Sequence, residues 1–328
     1  MSAAPSTDRH PLTVDGSVEL AVLDRSGFDE SRHIGAGVVV AADGTVIDAV
    51  GDATASIYPR STMKPFQALA IRRAGAVFSG DELVMTTASH AGTPSHQSLA
   101  LRMLERFDHV EEDLGCPPDL PFDRETARSM TGPRRLAMNC SGKHAGMLAA
   151  CRVHGWDSAS YLDIDHPLQR AVRATVEDAT GEVVDVVGVD GCGAPVFPLT
   201  LTGLARGIAG VVAGSDDDSA ALTEAVLANA WAIDGVGRAN TVTIERLGVL
   251  AKLGAEGVMV MGVPGGPAVA VKVLDGSLRA GTLAALTLLV RNGLVESAAA
   301  DAVLAATGER VLGGGLPVGA VRTGSGLR

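Results

Sequence analysis

Apolar residues form strand-like segments near both ends of the chain. Near the start, residues 18–23 and 35–42 are apolar, and residues 45–50 follow an Asp-Gly turn and complete a hairpin. Near the end, residues 258–263 and 268–274 flank a Pro-Gly-Gly-Pro turn and predict a second pair of strands. The pattern therefore places strands at both chain ends.

Between these two groups of strands, and again after the second group, apolar residues recur at helical spacing. The predicted helices cover residues 62–73, 95–107, 141–154, 168–180, 199–212, 219–232, 278–292 and 298–306. This order is typical of an α+β fold, an α/β sandwich whose antiparallel sheet is built from both chain ends around an inserted helical region. We expect one domain over residues 15–320, with a sheet subdomain (about 15–60 and 235–320) and a mostly helical subdomain (about 61–234).

Composition and charge narrow the classes of function. The chain has 328 residues, of which 46% are hydrophobic but only 3% aromatic, so we expect a core of Ala, Val and Leu. A net charge of −11 without any run of basic residues argues against nucleic acids and anionic membranes as partners. The first residues lack the pattern of a signal peptide, and the most apolar helix is too short to cross a bilayer. We therefore expect a cytoplasmic protein.

Lysine is rare in this chain, and one lysine follows a serine at helical spacing. Only four of the 27 lysines and arginines are Lys, and Lys64 lies three residues after Ser61, at the start of the predicted helix 62–73. Residues three apart on a helix share a face. A lysine without its proton can deprotonate the serine, which then attacks an acyl carbon. The pair predicts a nucleophilic hydrolase, and the alternative is a solvated lysine in the first turn.

A second candidate hydroxyl lies in the motif Ser89-His90-Ala-Gly, after an apolar run. Ser89 is placed to deliver a proton relay to the same site. In the alternative interpretation this segment is a strand-to-helix loop with Ser95 as the N-cap and with structural imidazoles. We favour that alternative for His96 but not for Ser89.

Two glycine-containing motifs carry thiols beside other polar groups. They are Asn139-Cys140-Ser-Gly-Lys143-His144 and Asp190-Gly191-Cys192-Gly193-Ala-Pro195. Two thiolates, a lysine and nearby His or Asp side chains match a metal of borderline softness such as zinc. However, the cysteines are far apart, no Cys-x-x-Cys occurs, and Lys is an unusual ligand. By residue pattern, two buried structural thiols are therefore an equal alternative.

The two remaining lysines receive different interpretations. Alternation in strand 268–274 places Lys272 on the face opposite its valines, where it can stabilise negative charge or share proton transfer with a helix-borne nucleophile. A solvent-facing edge cation is the alternative for Lys272. Lys252, in Ala-Lys-Leu-Gly, is interpreted as a surface residue.

Taken together, five motifs resemble those of the asparaginase II family, the rhizobial inducible type of L-asparaginase. In chain order they are Arg60-Ser61-Thr-Met-Lys64-Pro65, Ser89-His90-Ala-Gly, Asn139-Cys140-Ser-Gly-Lys143-His144, Asp190-Gly191-Cys192-Gly193-Ala-Pro195, and Gly254-Ala-Glu256-Gly followed by Lys272. The resemblance implies a fold similar to serine β-lactamases and glutaminases. It also implies hydrolysis of L-asparagine to L-aspartate and ammonia by paired Ser–Lys units, and a homodimer.

The resemblance implies roles for individual residues as well. Ser61 is the expected nucleophile with Lys64 as its base, and Ser89 and Lys272 are the expected second pair. The expected ligands of a zinc ion that tunes substrate binding are Cys140, Lys143 and Cys192.

A zwitterionic amino acid needs a cation for its α-carboxylate and an acceptor for its α-ammonium group. Arg60 and Asp190 are the candidates for these two tasks. We expect Gly191, Asn139 and His90 to line the same pocket.

Two alternatives to an asparaginase stay open. The first is a penicillin-recognising type of acyl hydrolase that acts on another amide, although Ser89-His90-Ala91 replaces the expected Ser-x-Asn and no Lys-Thr-Gly occurs. The second is a non-catalytic zinc-binding protein of the same fold. Release of ammonia from asparagine distinguishes an enzyme from a binding protein.

Overall fold

Strands from both ends of the chain form one sheet in the computed structural model, which describes residues 9–328. The strands are β1 Val18–Arg25, β2 Phe28–Val40, β3 Val46–Val50, β4 Ser56–Ile57, β5 Gly188–Val189, β6 Pro195–Val196, β7 Leu199–Thr200, β8 Leu250–Gly254, β9 Val258–Gly262, β10 Ala268–Val273, β11 Val311–Gly313 and β12 Leu316–Thr323. The main sheet has the order β11-β12-β1-β2-β10-β9-β8, and β3 pairs with the second half of β2. Every pairing in it is antiparallel, as predicted.

Most of the helices lie between β4 and β8. The helices are α1 Lys64–Arg73, α2 Gly80–Thr87, α3 Pro94–Glu105, α4 Arg124–Ser129, α5 Ser141–His154, α6 Pro167–Thr180, α7 Leu201–Ala213, α8 Asp217–Ala228, α9 Ala239–Leu247, α10 Gly281–Arg291 and α11 Ser297–Thr307. Helix α1 packs against α2, α5, α6 and α8. None of the helices within residues 9–328 is both long and apolar enough to cross a bilayer.

Helices cover both faces of the sheet at its centre, and glycines permit the close approach. A Cβ atom on Gly262 of β9 would lie 2.5 Å from Val212 in α7, whereas one on Gly37 of β2 would lie 2.7 Å from Leu288 in α10. The two helices therefore pack on opposite faces, which confirms the layered α+β architecture. The buried side chains are mainly Ala, Val and Leu, as the composition predicted.

The register of β8 orients its side chains toward the helical region. Leu250 pairs with Gly262, and directly paired residues share a face of the sheet. Lys252 and Gly254 follow at intervals of two, so they lie on the same face as Gly262, which α7 covers. The edge strand β8 thus directs Lys252 into the protein, and the interpretation of Lys252 as a surface residue is wrong.

The predicted strands near both ends and most predicted helices are confirmed. The helix predicted over residues 219–232 ends earlier, at Ala228. The N-cap of α3 is Thr93 and not Ser95, because the Thr93 side chain accepts from the backbone amide of His96. Strands β4 to β8, β11 and β12 and helices α2, α4 and α9 were not predicted. The proposed bounds of the domain and its subdomains stay a prediction.

Candidate active site

A cavity of about 200 Å³ lies between the start of α1, the edge strand β8 and loops of the helical region. This volume is below the usual range for drug-sized ligands, so the cavity suits a small molecule. The predicted site residues that line it are Arg60, Ser61, Ser89, Asn139, Cys140, Asp190, Gly191 and Cys192. The structure thus brings four separate motifs to one place.

Ser61 lies in a tight turn immediately before α1. Residues Arg60–Met63 form one turn of 3₁₀ helix, and Arg60 adopts a left-handed conformation with φ of 52°. The first amides of a helix have no partner within it, so they are available to a developing oxyanion. Strand β8 packs closely here, because a Cβ atom on Gly254 would lie 2.9 Å from the carbonyl oxygen of Pro59.

Two lysines share the hydroxyl of Ser89. Lys64, the first residue of α1, is 1% exposed, and its Nζ donates to Ser89 Oγ at 2.8 Å and to the carbonyl of Ala88. Lys252 is fully buried, and its Nζ lies 2.7 Å from the same Ser89 Oγ. Within the described chain no hydrogen bond joins Lys64 Nζ to Ser61 Oγ, although Ser61 and Ser89 line one cavity. Ser89 therefore connects the two amines.

The environment of Lys252 favours its uncharged form. Burial, and after it the positive charge of Lys64, lowers the pKa of Lys252 well below the ordinary lysine value. A neutral amine in contact with a hydroxyl can accept its proton. Lys252, interpreted from the sequence as a surface residue, is therefore a candidate base.

Lys272 does not reach this group, which corrects its expected pairing with Ser89. Its Nζ donates to the carbonyl oxygens of Glu256 and Val273. Lys272 on β10 pairs with Val258 on β9, which pairs with Gly254 on β8. Neighbouring strands are about 4.8 Å apart, so β10 lies roughly 10 Å farther than β8 from α1. Lys252 on the edge strand β8 thus makes the contact with Ser89 that was predicted for Lys272 on the inner strand β10.

Arg60 and Asp190 contact each other at the cavity wall. Arg60 Nε donates to Asp190 Oδ1 at 2.6 Å, and Arg60 Nη1 lies 3.6 Å from Glu256 Oε1. The backbone amide of Gly191 also donates to Asp190 Oδ1, at 2.8 Å. The second carboxylate oxygen of Asp190 makes no hydrogen bond to a described residue and is available to a ligand.

His90 lies behind the cavity and not on its wall, which corrects its predicted place. It is fully buried, and its Nδ1 accepts from the amide of Gly92 at 3.1 Å. Its Nε2 must therefore carry the proton that it donates to Ser141 Oγ at 2.9 Å. Burial, then the charges of His96 and Lys64, lowers its pKa. His90 stacks on His96 and supports the loop.

The thiols of Cys140 and Cys192 and the amine of Lys143 converge beside the cavity. Lys143 Nζ lies 3.1 Å from Cys192 Sγ, and all three residues are almost completely buried. The Cys140 thiol donates to Asn139 Oδ1 at 3.0 Å. The proximity of this thiol, and then the Lys143 charge, holds the pKa of Cys192 far below the ordinary value. The nearby Cys192, and then burial, raises the pKa of Cys140. Cys192 is therefore the sulfur of this pair that loses its proton more readily.

The donor set of this pocket fits zinc only if Lys143 takes part. Among residues 9–328 no group of three or more His, Cys, Asp and Glu side chains could hold a metal ion. Two sulfurs and one amine nitrogen of borderline softness nevertheless meet here, and the buried Nε2 of His144 has no hydrogen-bond partner. Lys143 would have to lose its proton on binding the metal.

A family model described as L-asparaginase II matches residues 21–323. The chain belongs to this family. The match covers all the motifs of the cavity, and membership of the family supports an amidohydrolase. A comparison with curated proteins found no match.

Solved structures resemble this family member only weakly. "Mglu in its glutamate form" is 16% identical with a TM-score of 0.37, over 79% of this chain and 61% of that one. "Probable glutaminase from Bacillus subtilis complexed with 6-diazo-5-oxo-L-norleucine" is 14% identical with a TM-score of 0.36, over 79% and 84% of the two chains. The chain thus spans about three fifths of the Mglu chain. These scores are too low to support an argument about the site.

Three polar residues on the cavity wall were missed by the sequence analysis of this family member. Asp234 and Arg238 lie in the loop before α9, and Asn240 is the second residue of that helix. The available signal was the sequence Asp-Gly-Val-Gly-Arg, in which charged residues stand among glycines. Lys252 was missed because β8 has only five residues, too few for a clear alternation.

Proposed function

We propose that this asparaginase II family member hydrolyses the side-chain amide of L-asparagine to L-aspartate and ammonia through an acyl-serine intermediate. The observation that carries the proposal is the contact of Ser89 Oγ with two buried lysines at 2.8 and 2.7 Å, in a cavity also lined by Ser61. A nucleophile beside an activated base is the arrangement that acyl transfer requires.

In the proposed first step Lys64 becomes the base for Ser61. A proton moves from Lys64 to Ser89 Oγ while the Ser89 hydroxyl proton moves to Lys252, whose lowered pKa favours the uncharged form that can accept a proton. Lys64 then takes the hydroxyl proton of Ser61, and Ser61 Oγ bonds to the amide carbon. The amides at the start of α1 stabilise the oxyanion.

In the later steps ammonia leaves and water resolves the intermediate. The bond between the amide carbon and nitrogen breaks as the nitrogen receives a proton through Ser89. Water then adds to the acyl-serine ester, the bond from carbon to Ser61 Oγ breaks, and Ser61 regains its proton. The products are aspartate and ammonia, and both lysines return to their first state.

The substrate ammonium group has a natural acceptor in Asp190. Arg60 occupies only Oδ1 of this carboxylate, together with the amide of Gly191. Oδ2 is left for the ligand. Asn139, on the same wall, contributes its carboxamide.

We also propose that Cys140, Lys143 and Cys192 hold zinc beside the cavity. Bound zinc would supply a positive charge that favours an anionic group of the substrate, without taking part in hydrolysis. The described residues themselves supply the nucleophile and the bases.

Ammonia release from L-asparagine and L-glutamine, measured for the wild type, Ser61→Ala and Ser89→Ala, tests the proposal. Both variants should lose activity. A diazoketone analogue of asparagine, followed by peptide mass mapping, should label Ser61; a label on Ser89 instead would reverse the roles of the two serines.

The same measurement addresses the alternatives. Stoichiometric zinc without ammonia release would favour a non-catalytic zinc-binding protein, and release from a chromogenic β-lactam would favour the penicillin-recognising type. The homodimer and the cytoplasmic location stay predictions, and light scattering tests the first.

A further inference from the structure

A second guanidinium group faces the cavity, and its contacts leave one edge of it available. Arg238 Nε donates to the buried carboxylate of Asp234, and the guanidinium carbon lies 5.6 Å from the centre of the Phe122 ring. The terminal nitrogens Nη1 and Nη2 make no hydrogen bond to residues 9–328. The Arg238 side chain is 41% exposed, so two oriented donors are open to solvent and to the cavity that Arg238 lines.

Arg60 is less suited to bind a further anion. Its Nε is bonded to Asp190, and its Nη1 lies 3.6 Å from the Glu256 carboxylate. Among the described residues, two acidic groups lie within 4 Å of Arg60, whereas at Arg238 only Asp234 does, and Asp123 acts on Arg238 from farther away. Both terminal nitrogens of Arg238, which make no hydrogen bond to residues 9–328, can therefore bind a carboxylate from the substrate.

Asn240 adds a second donor beside Arg238. It is 2% exposed and lines the cavity, and its Oδ1 accepts from the backbone amide of Leu253 at 2.9 Å. This bond fixes the carboxamide so that Nδ2 points elsewhere, and Nδ2 has no hydrogen bond to a described residue. The start of α9, where Asn240 lies, also favours negative charge.

We propose that Arg238 and Asn240 bind the α-carboxylate of the amino-acid substrate, while Asp190 binds its α-ammonium group. Asp234 is then a positioning residue, because it holds Arg238 through Nε and accepts from the backbone amide of Asn240 at 3.3 Å. The inference rests on the proposed function and makes a carboxylate next to the reacting amide part of the substrate definition. Binding of the α-carboxylate, first assigned to Arg60, is thereby assigned to Arg238.

Three amide substrates distinguish recognition of the α-carboxylate from recognition of the α-ammonium group. They are L-asparagine, succinamate, which lacks the ammonium group, and 3-aminopropanamide, which lacks the carboxylate. Arg238→Gln should lower kcat/KM by about 10-fold or more for asparagine and succinamate, because charged hydrogen bonds are lost, and leave 3-aminopropanamide nearly unchanged. Asp190→Asn should affect asparagine and 3-aminopropanamide but spare succinamate.

Matched variants distinguish an anchor from a structural residue. Arg238→Lys should recover part of the loss, and Arg246→Gln, which removes a guanidinium from the other end of α9, should behave like the wild type. Arg60→Gln should not reproduce the carboxylate-selective pattern. If it does and Arg238→Gln does not, Arg60 is the anchor and the inference is overturned.

Calorimetric binding of succinamate and aspartate separates this inference from the proposed function. If the wild type hydrolyses no amide but binds succinamate, and Arg238→Gln weakens that binding by about 10-fold, the hydrolase proposal fails and the carboxylate site stands. If asparagine is hydrolysed but Arg238→Gln affects all three amides equally, or none, the carboxylate site is refuted. Absence of both hydrolysis and binding refutes both.

Discussion

Two buried lysines beside one cavity experience opposite environments. Lys252 contacts Ser89 and lies near the charged Lys64, and burial together with that charge lowers its pKa. Burial lowers the pKa of Lys143 as well, but its contact with Cys192 more than offsets burial and raises the pKa overall. Burial alone therefore does not decide whether a lysine is charged; the nearest charged group does. One lysine is prepared as a base and the other as a partner of a thiolate.

The largest expected effect is the loss of the neutral amine. Lys252→Met should lower kcat for asparagine by about 10³-fold, because general acid–base catalysis contributes on that scale. It should not destabilise the fold, since it removes a buried polar amine. Ammonia assays and urea unfolding measure the two effects. Activity close to that of the wild type would eliminate Lys252 as a base.

The corresponding change in the thiol pocket should affect the metal more than the chemistry. Lys143→Met should weaken zinc binding by at least the roughly 10–100-fold that the loss of an outer-shell partner costs. A competition titration with a chromogenic chelator measures this. Equal zinc affinity in the variant and the wild type would exclude Lys143 as a ligand.

The two lysines should also change stability with pH in opposite directions. Because the pKa of Lys252 is lowered on folding, the unfolded chain binds more protons between that lowered pKa and about 10.4, so stability rises with pH across this window. Because the pKa of Lys143 is raised, its contribution is present below about 10.4 and is lost as pH rises through the raised pKa.

Urea unfolding at several pH values tests these signs. Lys252→Met should reduce the rise of the unfolding free energy with pH, and Lys143→Met should reduce its fall at high pH. Each change should amount to at most about 1.4 kcal/mol per unit of pKa shift. Ammonia release should increase with pH through the lowered pKa of Lys252. A rate that falls as the pH rises through that pKa would contradict an uncharged Lys252 in the mechanism.

The smallest expected effect is that of Lys272→Met. Its amine donates only to the backbone carbonyls of Glu256, in the turn after β8, and of Val273, at the end of β10, so kcat should change by less than about threefold, the scale of a partly exposed contact. The same assay used for Lys252→Met provides the comparison. A loss as large as that of Lys252→Met would restore the original assignment of Lys272.

Site residues could be predicted from the sequence where neighbouring positions in one short motif determine how the side chains are arranged. Ser61 and Lys64 lie on one turn, and Cys140, Asp190 and Cys192 stand beside glycines, so these residues could be predicted to line a site. The sheet was predictable because its strands near both ends are apolar and bounded by turns. These signals are local and do not depend on the rest of the fold.

The choice between Lys252 and Lys272 could not be made in this way. It depends on which strand forms the edge beside α1, and the register of a sheet is not visible in either strand alone. His90 was misplaced because its motif shows proximity to Ser89 but not that the imidazole turns away and stacks on His96. Arg238 gained its role only from the loop that brings it to the cavity.

Strand β8 lies at residues 250–254, far along the chain from the serines at 61 and 89. A ribosome therefore releases both hydroxyls long before the amine that would make them reactive. In the folded sheet, the strand that carries this amine is connected to the hairpin of β1 and β2 through β9 and β10. Under the proposed mechanism, a nascent chain that stops before residue 252 therefore lacks the amine that Ser89 contacts.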